Sequence, residues 1–282
     1  MKKIGIIGTG LIGGSFALAL KQTGKYRIFV RDNNPEHLNQ AIAMGLADGE
    51  LRERICSELD GVILAVPVNV LPDIAEEFLN KTKEHTWIFD TGSIKSNLAR
   101  RLKNHPARKR FVLSHPIAGT EYSGPKAAVP GLFQGKINII CNPGETDKKM
   151  LDKVVKLHEE LGMTNYFLQA DEHDKHIAYV SHLSHVSSFI LGKTVMDVEE
   201  NEQNIFLMAG SGFASTVRLA KSSPETWTPI FLHNKEALLK VLKAYIDNLN
   251  IFVDLLEKDR EEEIKNLLAN INKIGKIIDG IK

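Results

Sequence analysis

The amino-acid sequence predicts an α/β chain with two domains: an N-terminal parallel-sheet domain over residues 1–168 and an all-helical C-terminal domain over residues 169–282. Three observations carry this. As far as about Leu168, short β-rich runs alternate with segments of helical period, the signature of βα units that build a parallel sheet. Beyond Asp171 the strand-like runs stop, and apolar residues recur three and four positions apart. A length of 282 residues also suits two ordinary cores better than one.

In order along the sheet domain, residues 3–7, 27–30, 61–66, 87–90, 111–114, 137–141 and 165–168 read as strands, with helices at 11–23, 35–44, 70–80, 95–104 and 146–161. In the helical domain a helix is expected over 172–198 and another over 213–220. A long helix follows Pro224, a residue that suits a first helical turn, and a charged helix over 260–281 closes the chain. Leu238, Val241, Leu242, Tyr245, Ile246, Leu249, Phe252, Val253 and Leu256 form a broad apolar stripe. An internal core contact accounts for much of it, and its length predicts a homodimer through the C-terminal helices.

The formal charge of +1, from 36 basic and 35 acidic side chains, gives no net field toward nucleic acid or an anionic membrane, and neither is expected as a partner. Cys56 and Cys141 form no CxxC pair and lie near no histidine in sequence, so buried thiols in a reducing compartment are expected. The first apolar stretch is interrupted by glycines before it reaches spanning length, so neither a signal peptide nor a membrane anchor is expected. A cytoplasmic location follows as an expectation.

The run Gly8-Thr9-Gly10-Leu11-Ile12-Gly13 follows an apolar strand and opens an apolar helix. That is the context in which GxGxxG marks a Rossmann-type dinucleotide site. Gly8 permits the tight turn, Gly10 lets the backbone approach a pyrophosphate, and Gly13 lets helix and strand pack closely, while the helix N-terminus faces the phosphate charge. Asp32 ends the second strand at the distance where a carboxylate accepts from the ribose hydroxyls of NAD and repels a 2′-phosphate. Arg31 beside it could instead pair with the phosphate of NADP, so NAD is expected and NADP is the alternative. The run through Val66 and Pro67 and the turn at 90–93 both end strands on the edge where such sheets bind ligands.

Beyond the glycine loop four segments carry chemistry-bearing side chains. These are Gly92-Ser93-Ile94-Lys95, the run 114–121 that includes His115, Thr120 and Glu121, the Ser181-His182-Leu183-Ser184-His185 segment, and Gly210-Ser211-Gly212-Phe213 leading to Arg218. His115 follows a strand and Pro116 stops that strand, which puts an imidazole at the ligand edge of the sheet as a candidate base. It could equally be a packed strand-end histidine. His182 and His185 share a helix face, but no third ligand announces itself and no metal is expected. Binding an anionic substrate across the domain cleft is the better reading of these histidines.

Together, GTGLIGGS at 8–15, DTGSIKS at 90–96, SHPIAGTEYSG at 114–124, SHLSH at 181–185 and GSGFASTVRLA at 210–220 resemble the prephenate dehydrogenase family of tyrosine biosynthesis. The motifs stand in that family's order and spacing. The resemblance implies oxidation of prephenate with decarboxylation to 4-hydroxyphenylpyruvate. It implies that His115 hydrogen-bonds the ring hydroxyl as the catalytic histidine, with Ser93 as partner at the same oxygen, and that Arg218 holds a substrate carboxylate. It further implies that Ser181, His182, His185, Thr120, Glu121 and Trp227 belong to the substrate pocket. The chemistry agrees: as hydride leaves the carbinol carbon its hydroxyl must lose a proton, which a neutral imidazole can take. A guanidinium grips a carboxylate through two parallel hydrogen bonds, as a lysine cannot.

The sequence also departs from that family. Residues 214–217 are all uncharged where some members carry a charge, which puts an ionic gate over the pocket in doubt. Within these 282 residues neither a fused mutase nor a regulatory domain is expected. Three other readings stay open: an arogenate dehydrogenase in which Glu121 accepts from a substrate ammonium, a β-hydroxyacid dehydrogenase, and a redox sensor that holds NAD without turnover.

Overall fold

The computed structural model describes residues 1–120, 122–202, 204–278 and 280, the side chains of Glu200, Asn201, Glu202 and Ile278 excepted. Ile4, Ile6 and Ile7 of β1 (Lys2–Ile7) are buried, as befits a central strand covered on both faces. It leads into α1 (Leu11–Gln22), β2 (Tyr26–Arg31), α2 (Pro35–Ala43), β3 (Gly49–Glu50), α3 (Glu53–Cys56), β4 (Gly61–Leu64) and α4 (Leu71–Lys81). Then come β5 (Trp87–Asp90), α5 (Ser96–Leu102), β6 (Phe111–Pro116), β7 (Ile137–Cys141), α6 (Lys148–Glu160) and β8 (Thr164–Leu168). These strands form one sheet in the order β3-β2-β1-β4-β5-β6-β7-β8. The order reverses between β1 and β4, which places a ligand crevice at the carboxyl ends of those two strands.

Alternation along the strands divides the interior into two cores. Ile4, Ile6, Ile63 and Phe89 face Phe16 and Leu20 of α1 and Val154 and Leu157 of α6. Ile7, Val62, Leu64 and Ile88 pack with Phe78 of α4 and Leu98 of α5. Phe16 anchors the first core, with its ring centroid 4.1 Å from Phe133 and 5.5 Å from Phe89. Burying a side chain of that size stabilises the fold by about 1.5–3 kcal/mol. Cys56 and Cys141 are buried, free thiols, as expected.

The structure refines the expected elements in several places. β3 and α3, of 2 and 4 residues, are too short to show a period. The sheet is not wholly parallel, because β7 runs antiparallel to β6. The loop between them carries only the short 3-10 turn Pro125–Ala127, and without a crossover helix the chain returns in the opposite sense. β6 does not stop at Ser114 but continues through Pro116, which pairs with Asn138.

Beyond β8 the chain is helical throughout: α7 (Ala170–Ile177), a π turn (Ala178–His182), α8 (Leu183–Glu202), α9 (Ser211–Thr216), α10 (Pro224–His233), α11 (Lys235–Glu257), α12 (Glu261–Ile271) and α13 (Gly275–Ile278). The helix expected over 172–198 thus carries one wide turn, and the long helix after Pro224 is broken at Asn234. The helix expected over 213–220 gives way to a 3-10 turn, Arg218–Lys221, and the one expected over 260–281 is interrupted after Ile271 by the 3-10 turn Asn272–Ile274 and resumes as α13, its expected end at 281 lying outside the described residues.

By compactness the chain divides into Met1–Lys235 and Glu236–Lys282. Of the apolar stripe on α11, Leu238 and Val241 are buried, whereas Tyr245, Ile246, Leu249, Val253 and Leu256 are exposed. Burial therefore covers the start of the stripe and leaves the rest to solvent. No helix among the described residues is long and apolar enough to cross a membrane.

Candidate active site

The glycine loop joins β1 to α1 in the form its spacing predicts. Gly8 has φ of +90°, and a Cβ there would lie 2.2 Å from the Ala65 carbonyl oxygen and 3.3 Å from Val66 Cγ1. A Cβ on Gly13 would lie 1.9 Å from the Gly8 oxygen. Both positions therefore exclude any side chain. Around Gly10, by contrast, an added Cβ would meet nothing within 4 Å. α1 has no side-chain cap and no acidic residue in its first turn, so its leading N–H groups are left to an anion. Leu11 is buried and Ile12 packs against the core beneath them, while Pro67 is exposed just beyond β4. This cradle fits a dinucleotide pyrophosphate.

Asp32 Oδ2 accepts from the Thr9 backbone N–H at 2.7 Å and from the Thr9 hydroxyl at 2.8 Å, and Oδ1 accepts from Asn34 N–H at 2.9 Å. The carboxylate is thus fixed at the end of β2, beside the loop. Arg31 turns elsewhere: its guanidinium donates to Glu77 at 2.6 Å and lies 5.8 Å over the Phe78 ring.

At the ends of β5 and β6 the structure closes a ring of hydrogen bonds. The ammonium of Lys95, fully buried, pairs with the equally buried Asp90 and donates to the Ser114 carbonyl at 2.7 Å. Asp90 in turn accepts from the backbone N–H groups of Gly92 and Ser114. The turn carrying the half-buried Ser93 is therefore pinned to β6, the strand that carries His115. The N–H groups of Lys95 and Ser96 each donate at 2.8 Å to the carboxylate of Asp174 on α7. His173 Nδ1 stands 2.8 Å from that carboxylate, and His173 Nε2 stands 2.9 Å from Nδ1 of His115, which completes the circuit.

His115 is partly exposed, so it is reachable from the crevice. Burial above all holds its pKa well below the ordinary histidine value, with the neighbouring His173, Lys95 and His182 acting in the same direction. It is neutral at physiological pH, as a base must be. For Asp174, burial opposes the charge, but the bonds from His173, Ser96 and Lys95 outweigh it and lower the carboxyl below its usual range.

The π turn sets the remaining pocket residues. Such wide turns inside helices recur at functional sites because they rotate the side chains that follow. His182 is fully buried and receives the Asn234 amide at Nδ1, 3.2 Å away, while the same Nδ2 donates to the Asp174 carbonyl at 2.8 Å. The Asp174 carbonyl can only accept, so the amide orientation is fixed, Nδ1 of His182 must accept, and the ring proton sits on Nε2. That Nε2 is buried, and among the described residues no acceptor meets it. Burial lowers the pKa of His182 to about 4, with Asp174 opposing and His185 and His173 adding to the shift.

His185 donates from Nδ1 to the Ser181 carbonyl at 3.0 Å and stacks on Trp227, centroids 3.4 Å apart. Its pKa is lowered by burial and by the charge of Arg218, which outweigh the Ser181 carbonyl. Trp227 also meets His182 edge-on at 6.1 Å, so one indole touches both histidines of the SHLSH segment. His115, the Ser93 turn, His182, His185, Trp227 and the charge of Arg218 are in this way linked through shared contacts. Thr120 is exposed and accepts from Tyr122 N–H, in a local turn, and Glu121 lies outside the described residues.

Among the described residues no group of three or more His, Cys, Asp or Glu side chains is placed to hold a metal. Sequence reasoning passed over His173, Asp174 and Asn234. The first two sit in the charged run 170–176, which reads as a solvated helix start, and both are buried. Their place a short way ahead of the SHLSH segment, on the same helix, was the available signal.

A doubly covered, largely parallel sheet, a glycine loop at its switch point whose Gly8 and Gly13 admit no side chain, and a neutral histidine at a neighbouring strand end define a dinucleotide-dependent oxidoreductase. Residues 16–166 match the family model described as prephenate dehydrogenase, nucleotide-binding domain, and residues 169–270 that described as prephenate dehydrogenase, dimerization domain. The cyclohexadienyl dehydrogenase of Zymomonas mobilis is 32% identical over 253 residues, 88% of this chain and 86% of that protein. The structure of prephenate dehydrogenase from A. aeolicus in complex with hydroxyphenyl propionate and NAD+ superposes with a TM-score of 0.90 at 35% identity over 98% of each chain. Synechocystis arogenate dehydrogenase gives a TM-score of 0.80 at 25% identity, covering 98% of this chain and 99% of that one. The chain belongs to the prephenate dehydrogenase family.

Proposed function

We propose that this protein is an NAD-dependent prephenate dehydrogenase, which converts prephenate to 4-hydroxyphenylpyruvate and carbon dioxide. The observation that carries the reading is the neutral, partly exposed His115 held at the crevice edge by the ring of hydrogen bonds through Ser114, Lys95, Asp174 and His173. NAD, when bound, accepts the hydride lost by the carbinol carbon. The glycine loop and the α1 N-terminus hold its pyrophosphate, and Asp32 accepts from its ribose. Arg31 is engaged by Glu77, which supports NAD over NADP.

His115 takes the proton of the ring hydroxyl as that oxygen becomes a carbonyl, and Ser93 orients the same oxygen. Loss of the ring carboxylate as carbon dioxide sends its electron pair through the ring to that oxygen, so the ring becomes aromatic as a phenolate and the imidazolium of His115 returns the proton to it. Arg218 grips a substrate carboxylate, His185 and Trp227 wall the ring, and the unmet Nε2–H of His182 supplies a further donor. Ser181, Thr120 and Glu121 complete the substrate loop and helix. We place the functional division of the chain at 168/169, with the helical domain forming a homodimer through the exposed apolar residues of α11. The cytoplasm suits the free thiols.

The amino analogue arogenate is the second reading, favoured by the resemblance to the Synechocystis arogenate dehydrogenase. The test is a spectrophotometric assay of purified protein with NAD or NADP and either prephenate or arogenate. NAD reduction with prephenate is expected. In the His115→Asn variant turnover should fall by about 10²–10⁴-fold with substrate still bound. For Arg218→Ala a rise in KM of about 10–100-fold is expected, the worth of a charge-assisted hydrogen bond. Absence of turnover with both substrates rejects the reading, and an unchanged KM in the arginine variant means the carboxylate is held elsewhere.

A further inference from the structure

We propose that His173 and Asp174 are positioning residues that fix the tautomer of His115, placing its proton on Nδ1 and its lone pair on Nε2. The inference rests on the reading of His115 as the base. It follows from the donors and acceptors along one chain of contacts. Asp174 accepts two backbone N–H groups, from Lys95 and Ser96, each at 2.8 Å, and an ionised carboxylate has no proton to give. His173 Nδ1, 2.8 Å away, must therefore be the donor. A neutral imidazole that donates from Nδ1 carries a bare Nε2, so His173 Nε2 accepts. The group it faces, His115 Nδ1 at 2.9 Å, must then carry the proton. The two rings meet at 76°, a tilt that an N–H···N bond lying in the plane of each ring allows.

His173 and Asp174 are 3% and 5% exposed, so water does not compete for these bonds. The charged and titratable groups around the pair are the Lys95 ammonium, itself paired with Asp90, and the imidazoles of His115 and His182. The arrangement does two things. It leaves His115 Nε2 as the only nitrogen of that ring free to take a proton. It also gives the imidazolium that forms an acceptor on its far side, which is itself bonded to a carboxylate. A protonated His173 would donate from both nitrogens and force the opposite tautomer on His115, which removes the base.

The test combines ring nitrogen–proton NMR of the full-length protein with two substitutions. In the unliganded wild type, His115, assigned by the loss of its signals in His115→Asn, should show Nδ1 protonated and Nε2 bare. His173→Gln can accept from His115 through its amide oxygen and donate to Asp174 through its amide nitrogen, so it should keep the tautomer and most of kcat. His173→Leu can do neither, and kcat should fall by about 10²-fold or more while KM for prephenate changes little. Wild-type His115 protonated on Nε2, or equal losses of kcat in the Gln and Leu variants, would overturn the proposal. Should His173→Leu fail to fold, the wild-type spectrum decides alone. A wild type that oxidises neither prephenate nor arogenate rejects the functional reading, and the spectrum still reports the tautomer.

Discussion

The imidazole of His185 lies flat against the indole of Trp227, with centroids 3.4 Å apart and planes inclined by 23°. Trp227 also reaches His182 and Phe231, at 6.1 Å and 5.5 Å, so one half-buried indole ties both histidines of the 181–185 segment to α10. A stacked aromatic pair is worth about 0.5–1.5 kcal/mol beyond the area it buries, so Trp227→Ala should raise KM for prephenate by about tenfold. The only other tryptophan, Trp87, is buried in the sheet core. Substrate titration of a Trp87→Phe variant should therefore change the fluorescence of Trp227 alone, and an unchanged signal places Trp227 outside the pocket.

Asp32 is occupied on one oxygen by both donors of Thr9. Replacing it with Ser removes the charge that repels a 2′-phosphate and loosens the loop. Steady-state kinetics should show KM for NAD rising by about tenfold or more, with KM for NADP falling relative to it. A cofactor preference identical to the wild type would remove Asp32 from the ribose site.

The lowered pKa of His115 fixes the sign of its pH dependence. A base works when neutral, and a depressed pKa keeps it neutral below the ordinary range near pH 6.5. The acid limb of kcat/KM should therefore lie below pH 6.5, and a limb centred at or above that value contradicts the burial of the ring.

His158 offers a stability test away from the site. It is fully buried between Phe89 and Asn165, and burial lowers its pKa from 6.5 to about 4 despite the Asn165 bond. The unfolded chain binds a proton on this ring below pH 6.5 while the folded chain does not. Stability is therefore complete above that pH and is lost as pH falls toward 4, by about 3 kcal/mol. A His158→Gln variant should show a flatter fall of Tm across this window, measured by calorimetry, and an equally steep fall assigns the loss to other groups.

Much of the fold can be read in the sequence because a doubly covered sheet writes its strands as apolar runs, as in 61–64 and 111–113. The direction of β7 could not be read that way, since an antiparallel return leaves the same apolar run as a parallel one. The π turn at Ala178–His182 was equally hidden, because one extra residue in a helical turn does not disturb an apolar pattern already mixed with histidines. At the site, glycines are legible because only their absence of a side chain fits, as at Gly8 and Gly13. His173 and Asp174 were not, because burial is a property of the assembled fold and their neighbours Glu172, Lys175 and His176 are exposed. Asn234 looked like a mid-helix residue, and the structure makes it the break between α10 and α11 and the donor that fixes His182.

Asp174 serves two masters, since the same carboxylate that faces His173 also receives the leading amides of α5. A chimaera joined near residue 169, with its sheet from this chain and its helices from a relative, inherits its histidine from one parent and that carboxylate from the other. Such a graft must carry the His-Asp dipeptide of α7 in the same register, or the sheet loses an anchor at the moment the histidine loses its orientation.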